Sequence, residues 1–84
     1  MYAIVYYFKE RDGQSVVEKE FHGGEIFRLR RNALHYVWEI VQSDYRNKGY
    51  ATETLKGGIF CYRSEKTSDG ERKISTITIK VEKA

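Results

Sequence analysis

The 84 residues contain no proline, one cysteine, one methionine and two histidines. With no proline, low-complexity tract or linker to divide it, the chain reads as one domain over residues 1–84. The lone Cys61 makes no internal disulfide. That fits a reducing, cytoplasmic setting, and an unpaired cysteine is expected as a small core residue. No run of about 18 apolar residues occurs, so no membrane-spanning helix is expected. The start, MYAIVYYFKERDG, has neither a basic leader nor a small-residue cleavage site. His22 and His35 are far apart, and no zinc-ligand spacing, Ser-His-Asp set or phosphate loop is present. Glu18 and Glu20 would share a strand face, an ordinary spacing on a wet strand rather than an acid/base pair. No metal, cofactor or catalytic residue is expected from these patterns.

What is present is aromatic and charged. Seven Tyr, four Phe and one Trp accompany 40% hydrophobic and 32% charged residues, a globular balance. The net charge of +3 permits an acidic partner without arguing for one. A chain this short has one small core and little volume for an enclosed pocket. A surface groove, a sheet face or an oligomer interface is the expected working site.

Tyr2 to Glu10 reads as a strand by its β-branched and aromatic content. Asp12-Gly13 is a tight-turn signal, because glycine tolerates positive φ. Ser15 to Phe21 reads as the return strand, with Val17, Lys19 and Phe21 on one side and Val16, Glu18 and Glu20 on the other. Gly23-Gly24 is expected to end this hairpin. From Glu25 the period changes: Ile26, Phe27, Ala33, Leu34, Val37, Trp38, Val41 and Tyr45 form one stripe of a helix that Gly49 stops. Phe27, Leu34, Trp38 and Val41 are the expected anchors against a sheet. Ile59 to Arg63 and Lys73 to Val81 read as a second hairpin turning through Asp69-Gly70. On its last strand Ile77, Ile79 and Val81 alternate with Thr76, Thr78 and Lys80. The expected fold is α+β: a four-stranded, mainly antiparallel sheet with one helix on one face, in the order ββαββ.

The stretch Asp44 to Lys56 supports a competing reading. Arg46-Asn47-Lys48-Gly49-Tyr50-Ala51 resembles the Arg-x-x-Gly-x-Gly/Ala acyl-CoA loop of the GNAT family of N-acetyltransferases. The resemblance implies that Arg46, Lys48, Gly49 and Ala51 line the cofactor phosphates. It also requires a strand over residues 34–41 and a helix over residues 51–62, with glycine admitting backbone amides to the pyrophosphate.

One helix covers one face of a sheet, yet the first strand is apolar on both sides. Ile4, Tyr6 and Phe8 alternate with Val5 and Tyr7. The sheet face bearing Tyr6 and Phe8 is therefore expected to meet a partner or a second copy. Ile4, Tyr6, Phe8, Arg28, Arg31 and Tyr62 are the interface candidates. The function expected from this is a non-enzymatic protein-binding module, possible as a homo-oligomer. The acetyltransferase-like reading is one alternative. Single-stranded nucleic-acid binding is another, with Arg28, Arg30, Arg31, Arg46 and Lys48 on phosphates and tyrosines on bases.

Overall fold

The computed structural model describes residues 1–84. It contains five strands, not the four expected. They are β1 (Tyr2–Asp12), β2 (Ser15–Phe27), β3 (Ala51–Leu55), β4 (Gly58–Lys66) and β5 (Arg72–Lys83). One helix, α1 (Arg30–Ile40), lies between β2 and β3. All pairings are antiparallel, and the spatial order is β2-β1-β5-β4-β3. The chain order is thus ββαβββ, which corrects the expected ββαββ. No helix is long and apolar enough to cross a membrane.

The extra strand is β3. Its Thr52 and Thr54 alternate with Ala51, Glu53 and Leu55 beside β4, and a two-residue turn at Lys56-Gly57 joins the pair. Gly57 takes φ +86° there. Five largely polar residues give little hydrophobic periodicity, which is why their strand character was faint.

β2 also runs six residues past its expected end. Gly23-Gly24 does not stop it. Between Val5↔His22 and Ala3↔Ile26, three residues of β2 face Ile4 alone, so the strand swells into a bulge and continues to Phe27. Phe27 pairs with Tyr2, and its ring lies 5.2 Å from that of Tyr36. Pairing with β1 and this ring contact outweigh the helical spacing of Ile26 and Phe27. The helix therefore starts at Arg30, after an extended Leu29.

Ala33, Val37 and Val41 recur every fourth residue and are fully buried against Ile4, Ile59, Cys61, Ile77 and Ile79. Trp38, an expected anchor, is instead 47% exposed. Each step along a helix turns about 100°, so Trp38 lies on the helix flank once Val37 points straight down. Beyond Ile40 the helix loosens into a π turn (Val41–Tyr45) and a 3-10 turn (Arg46–Lys48), and Gly49 at φ +85° ends it.

Lengths then decide the shape. An eleven-residue helix is about 16 Å long, whereas β2, whose thirteen residues stand beside eleven of β1, reaches about 36 Å. The molecule is 47 × 22 × 20 Å. The helix covers the end of the sheet that holds Tyr2, Phe27 and Lys83. Toward the β1–β2 turn, the sheet continues as a single layer.

Candidate functional site

Cross-strand register assigns every strand residue to a face. Tyr2, Ile4, Tyr6 and Phe8 stand beside Val81, Ile79 and Ile77 on the helix side. The face expected to be uncovered is thus the one the helix packs on. Ile4 is fully buried and Tyr6 is partly buried against the core. Burial pushes the Tyr6 phenol up, with smaller contributions from Tyr36, Asp44 and Glu25. The opposite, open face carries Val5, Tyr7, Phe60, Tyr62, Thr76, Thr78 and Lys80. Val5 is only 2% exposed there. Its cross-strand neighbours are His22 and Lys80, long side chains that can shield it without a helix.

The open face is electrically mixed. Lys9 pairs with Glu18 at 3.5 Å, and His22 meets Glu20 at 2.9 Å. The Tyr7 hydroxyl donates to Glu82, which pushes its pKa up to about 12. Lys80 lies 5.6 Å from the same ring. Phe60 and Tyr62 stack at 6.1 Å, and Tyr62 is 48% exposed. A shallow concavity of about 560 Å³ runs over Tyr7, Lys9, Phe60 and Thr78 toward Glu18 and Glu20.

On the helix side, a second concavity of about 600 Å³ opens where the helix ends. Phe8, Ser75 and Ile77 line it with Tyr50, and Val17, Lys19 and Phe21 of the edge strand form its other wall. Phe8 and Phe21 meet edge to face at 5.3 Å. Val17 and Phe21 remain about half exposed, as do Val16 and Ile26 on the other side of β2. These four residues bring the apolar surface to one bare edge. Sequence reading missed them as a site because strand order is not written in a strand's own pattern. Phe21 and Val17 alternate with charges as any half-wet strand does.

Arg28 and Arg31 are exposed near the start of the helix, at the covered end of the sheet. Tyr62 belongs to the open face, so the expected interface residues do not form one patch. Phe8 alone joins the groove.

The Arg46–Ala51 turn is the carboxyl end of the helical segment, and it leads into a strand. Residues 34–40 are helical and residues 51–55 are extended, the reverse of what the acyl-CoA loop requires. The groups left over at such an end are carbonyl oxygens, which draw cations rather than phosphates. Arg63 Nη1 donates to the Lys48 carbonyl at 2.8 Å, and its guanidinium lies 4.9 Å from the Tyr50 ring. Arg46 Nη1 is turned back to Gln42 Oε1 at 3.0 Å, and Lys48 lies 5.7 Å from the Tyr45 ring.

Cys61 is buried, and burial raises its thiol pKa. No three His, Cys, Asp or Glu side chains converge as a metal site would require. No family model matches the chain, and neither a curated protein nor a solved structure is similar to it.

Proposed function

We propose that this domain is a protein-binding module whose working surface is the edge strand β2 and the groove beside it. The observation that supports this most is the exposure of Val16, Val17, Phe21 and Ile26 on one edge strand. A strand at the edge of a sheet offers a row of unpaired amides and carbonyls to another chain. An added strand gains affinity from the main chain and selectivity from alternate side chains. Here the groove of Phe8, Ile77 and Tyr50 lies where such side chains would fall. Apolar contacts with a polar surround are the ordinary composition of a protein interface.

The open face weighs against single-stranded nucleic acid as the ligand. Tyr7, Phe60 and Tyr62 would serve as stacking platforms, but Lys9, Arg11, Lys66, Arg72 and Lys80 share that face with Glu18, Glu20, Glu53 and Glu82. A face on which carboxylates interrupt the cations in this way provides no steady attraction for phosphates.

The test is site-specific photocrosslinking in the cells that make the protein. A photoreactive residue replacing Val17 is expected to trap a protein adduct, while one replacing Glu39 on the outer helix surface is not. No adduct from Val17, or adducts only from Glu39, removes this reading.

A further inference from the structure

Much of the sheet answers its cations with carboxylates. Lys9 meets Glu18 at 3.5 Å, Lys73 meets Glu10 at 3.3 Å, and Arg63 meets Glu65 at 3.5 Å. Three cations at the single-layer end of the open face break this habit. Lys66 of β4 stands directly opposite Arg72 of β5, and Arg11 of β1 stands opposite Ile74, one diagonal step from Arg72. All three are exposed, and no carboxylate lies within ion-pair distance of any of them.

The carboxylates nearby are turned elsewhere. Asp69 accepts from the Thr67 hydroxyl, and the Glu71 carboxylate lies over Gly13. Asp12 and Glu65 alternate onto the helix side, where Lys73 stands opposite both. Arg72 is kept on the open face, because its Nη1 donates to Ser64 Oγ at 3.0 Å. Residues opposite one another on such a ladder have Cβ atoms about 4.5–5.5 Å apart, and diagonal ones about 7–8 Å. These separations fall within the screening length of about 8 Å at physiological salt, so the charges repel. Like charges directly across a ladder are destabilising. The free domain therefore carries a repulsion that an anionic partner would turn into attraction.

Resting on the protein-binding reading above, we infer that the partner carries an acidic segment, whose carboxylates meet Arg11, Lys66 and Arg72 while apolar side chains among them meet Val16 and Ile74. The apolar residues decide the class of partner. Val16, Arg11 and Ile74 form one cross-strand row, with Val16 48% and Ile74 40% exposed on either side of the guanidinium. A phosphate backbone has nothing to set on Val16 and Ile74. Three cations are also few for it, since its affinity grows with the number of phosphates neutralised. An acidic peptide brings carboxylates and apolar side chains together. Val16 belongs to β2, so this patch continues the edge strand onto the open face.

The test is selection of phage-displayed random dodecapeptides on the full chain, with affinities of the selected peptides read by fluorescence polarisation. Peptides in which Asp and Glu are interspersed with apolar residues are expected to be enriched. Lys66→Glu is the deciding variant. It sets opposite charges across the ladder, so the folding equilibrium constant should rise about twofold. The same variant should bind the selected peptides at least about tenfold more weakly. A purely structural role for Lys66 would not move the two readouts in opposite directions. An empty selection, basic or uncharged peptides, or acidic peptides that bind Lys66→Glu equally well overturn the inference. A Lys66→Glu domain less stable than the original removes the repulsion on which it rests. Tighter binding of a fluorescein-labelled twelve-nucleotide deoxythymidine strand, lost in Lys66→Glu, assigns the patch to nucleic acid instead. In each of these cases a Val17 photoadduct with another protein would leave the binding-module reading standing, and its absence would remove that reading as well.

Discussion

Ile79 and Ile74 lie five residues apart on β5. Ile79 is sealed beneath the helix, whereas Ile74, near the far end and on the other face, is 40% exposed. The same contrast holds for the whole sheet. At one end the strands pack under Ala33, Val37 and Val41, and almost every buried residue is found there. At the other end β1, β2, β4 and β5 continue as a single layer with apolar side chains on both faces. A single layer has no second layer against which to bury either face. The covered end explains why the chain folds, and the bare end gives it something to bind with.

The largest expected effect sharpens this contrast directly. Ile79→Ala should cost about 2–5 kcal/mol in urea unfolding, through lost transfer free energy and a cavity. Ile74→Ala should stay within about 0.5 kcal/mol. Equal losses would mean that the bare end is packed as firmly as the covered one. Gly58→Ala comes next, at about 3 kcal/mol, because an added Cβ would stand 2.2 Å from the Ile79 carbonyl oxygen. Retention of full stability would show that β4 and β5 are not so closely apposed. On the helix, Val37→Ala should cost about 2 kcal/mol, and Trp38→Ala less than about 1 kcal/mol. Acrylamide should quench native Trp38 readily, and a well-shielded indole would contradict its exposed position.

Two smaller effects concern titration. Cys61 is buried and its thiol pKa is raised, so it should react with a disulfide reagent only as the protein unfolds. Rapid native labelling would mean that the covered end opens easily. On the open face, the hydrogen bond to Glu82 holds the Tyr7 phenol near pKa 12, against 10.0 ordinarily. A group whose folded pKa is raised contributes stability that is fully present below the unfolded value. Tyr7's contribution is thus intact below pH 10 and is lost as the pH rises through about 12. Ultraviolet titration should show Glu82→Gln lowering this ionisation toward 10.0, and an unchanged curve would deny the bond.

The parts of this fold that sequence makes plain are those whose signal is local. Asp12-Gly13 marks a two-residue hairpin turn, and Gly13 takes φ +60° there. The four-residue spacing of Ala33, Val37 and Val41 marks the buried helix stripe, and Ile77, Ile79 and Val81 mark the inner side of β5. The rest depends on contacts far apart in the chain. Gly23-Gly24 resembles a stop until β1 lies alongside to carry the bulge. Ile26 and Phe27 match the helical period until Tyr2 and Tyr36 claim Phe27. Trp38 is apolar enough to be an anchor, but the helix turns its neighbour Val37 inward. The candidate site was the least legible. Val17 and Phe21 differ from inner-strand residues only in lacking a further strand beside β2. That is a property of sheet order, which no local pattern states.

β5 is the last strand in the chain, yet it lies between β1 and β4. Every earlier pairing is a neighbour-to-neighbour hairpin, whereas β1 meets β5 from opposite ends of the chain, with Tyr2 beside Lys83. Until β5 arrives, the chain holds two separate ribbons and a helix with only part of its floor. Assembly therefore waits on the closure of one very long loop, whose entropy must be met before the core rewards it. The expected kinetics are those of a slow, late zippering step, during which β1 and β4 both present open flanks to whatever strand reaches them first.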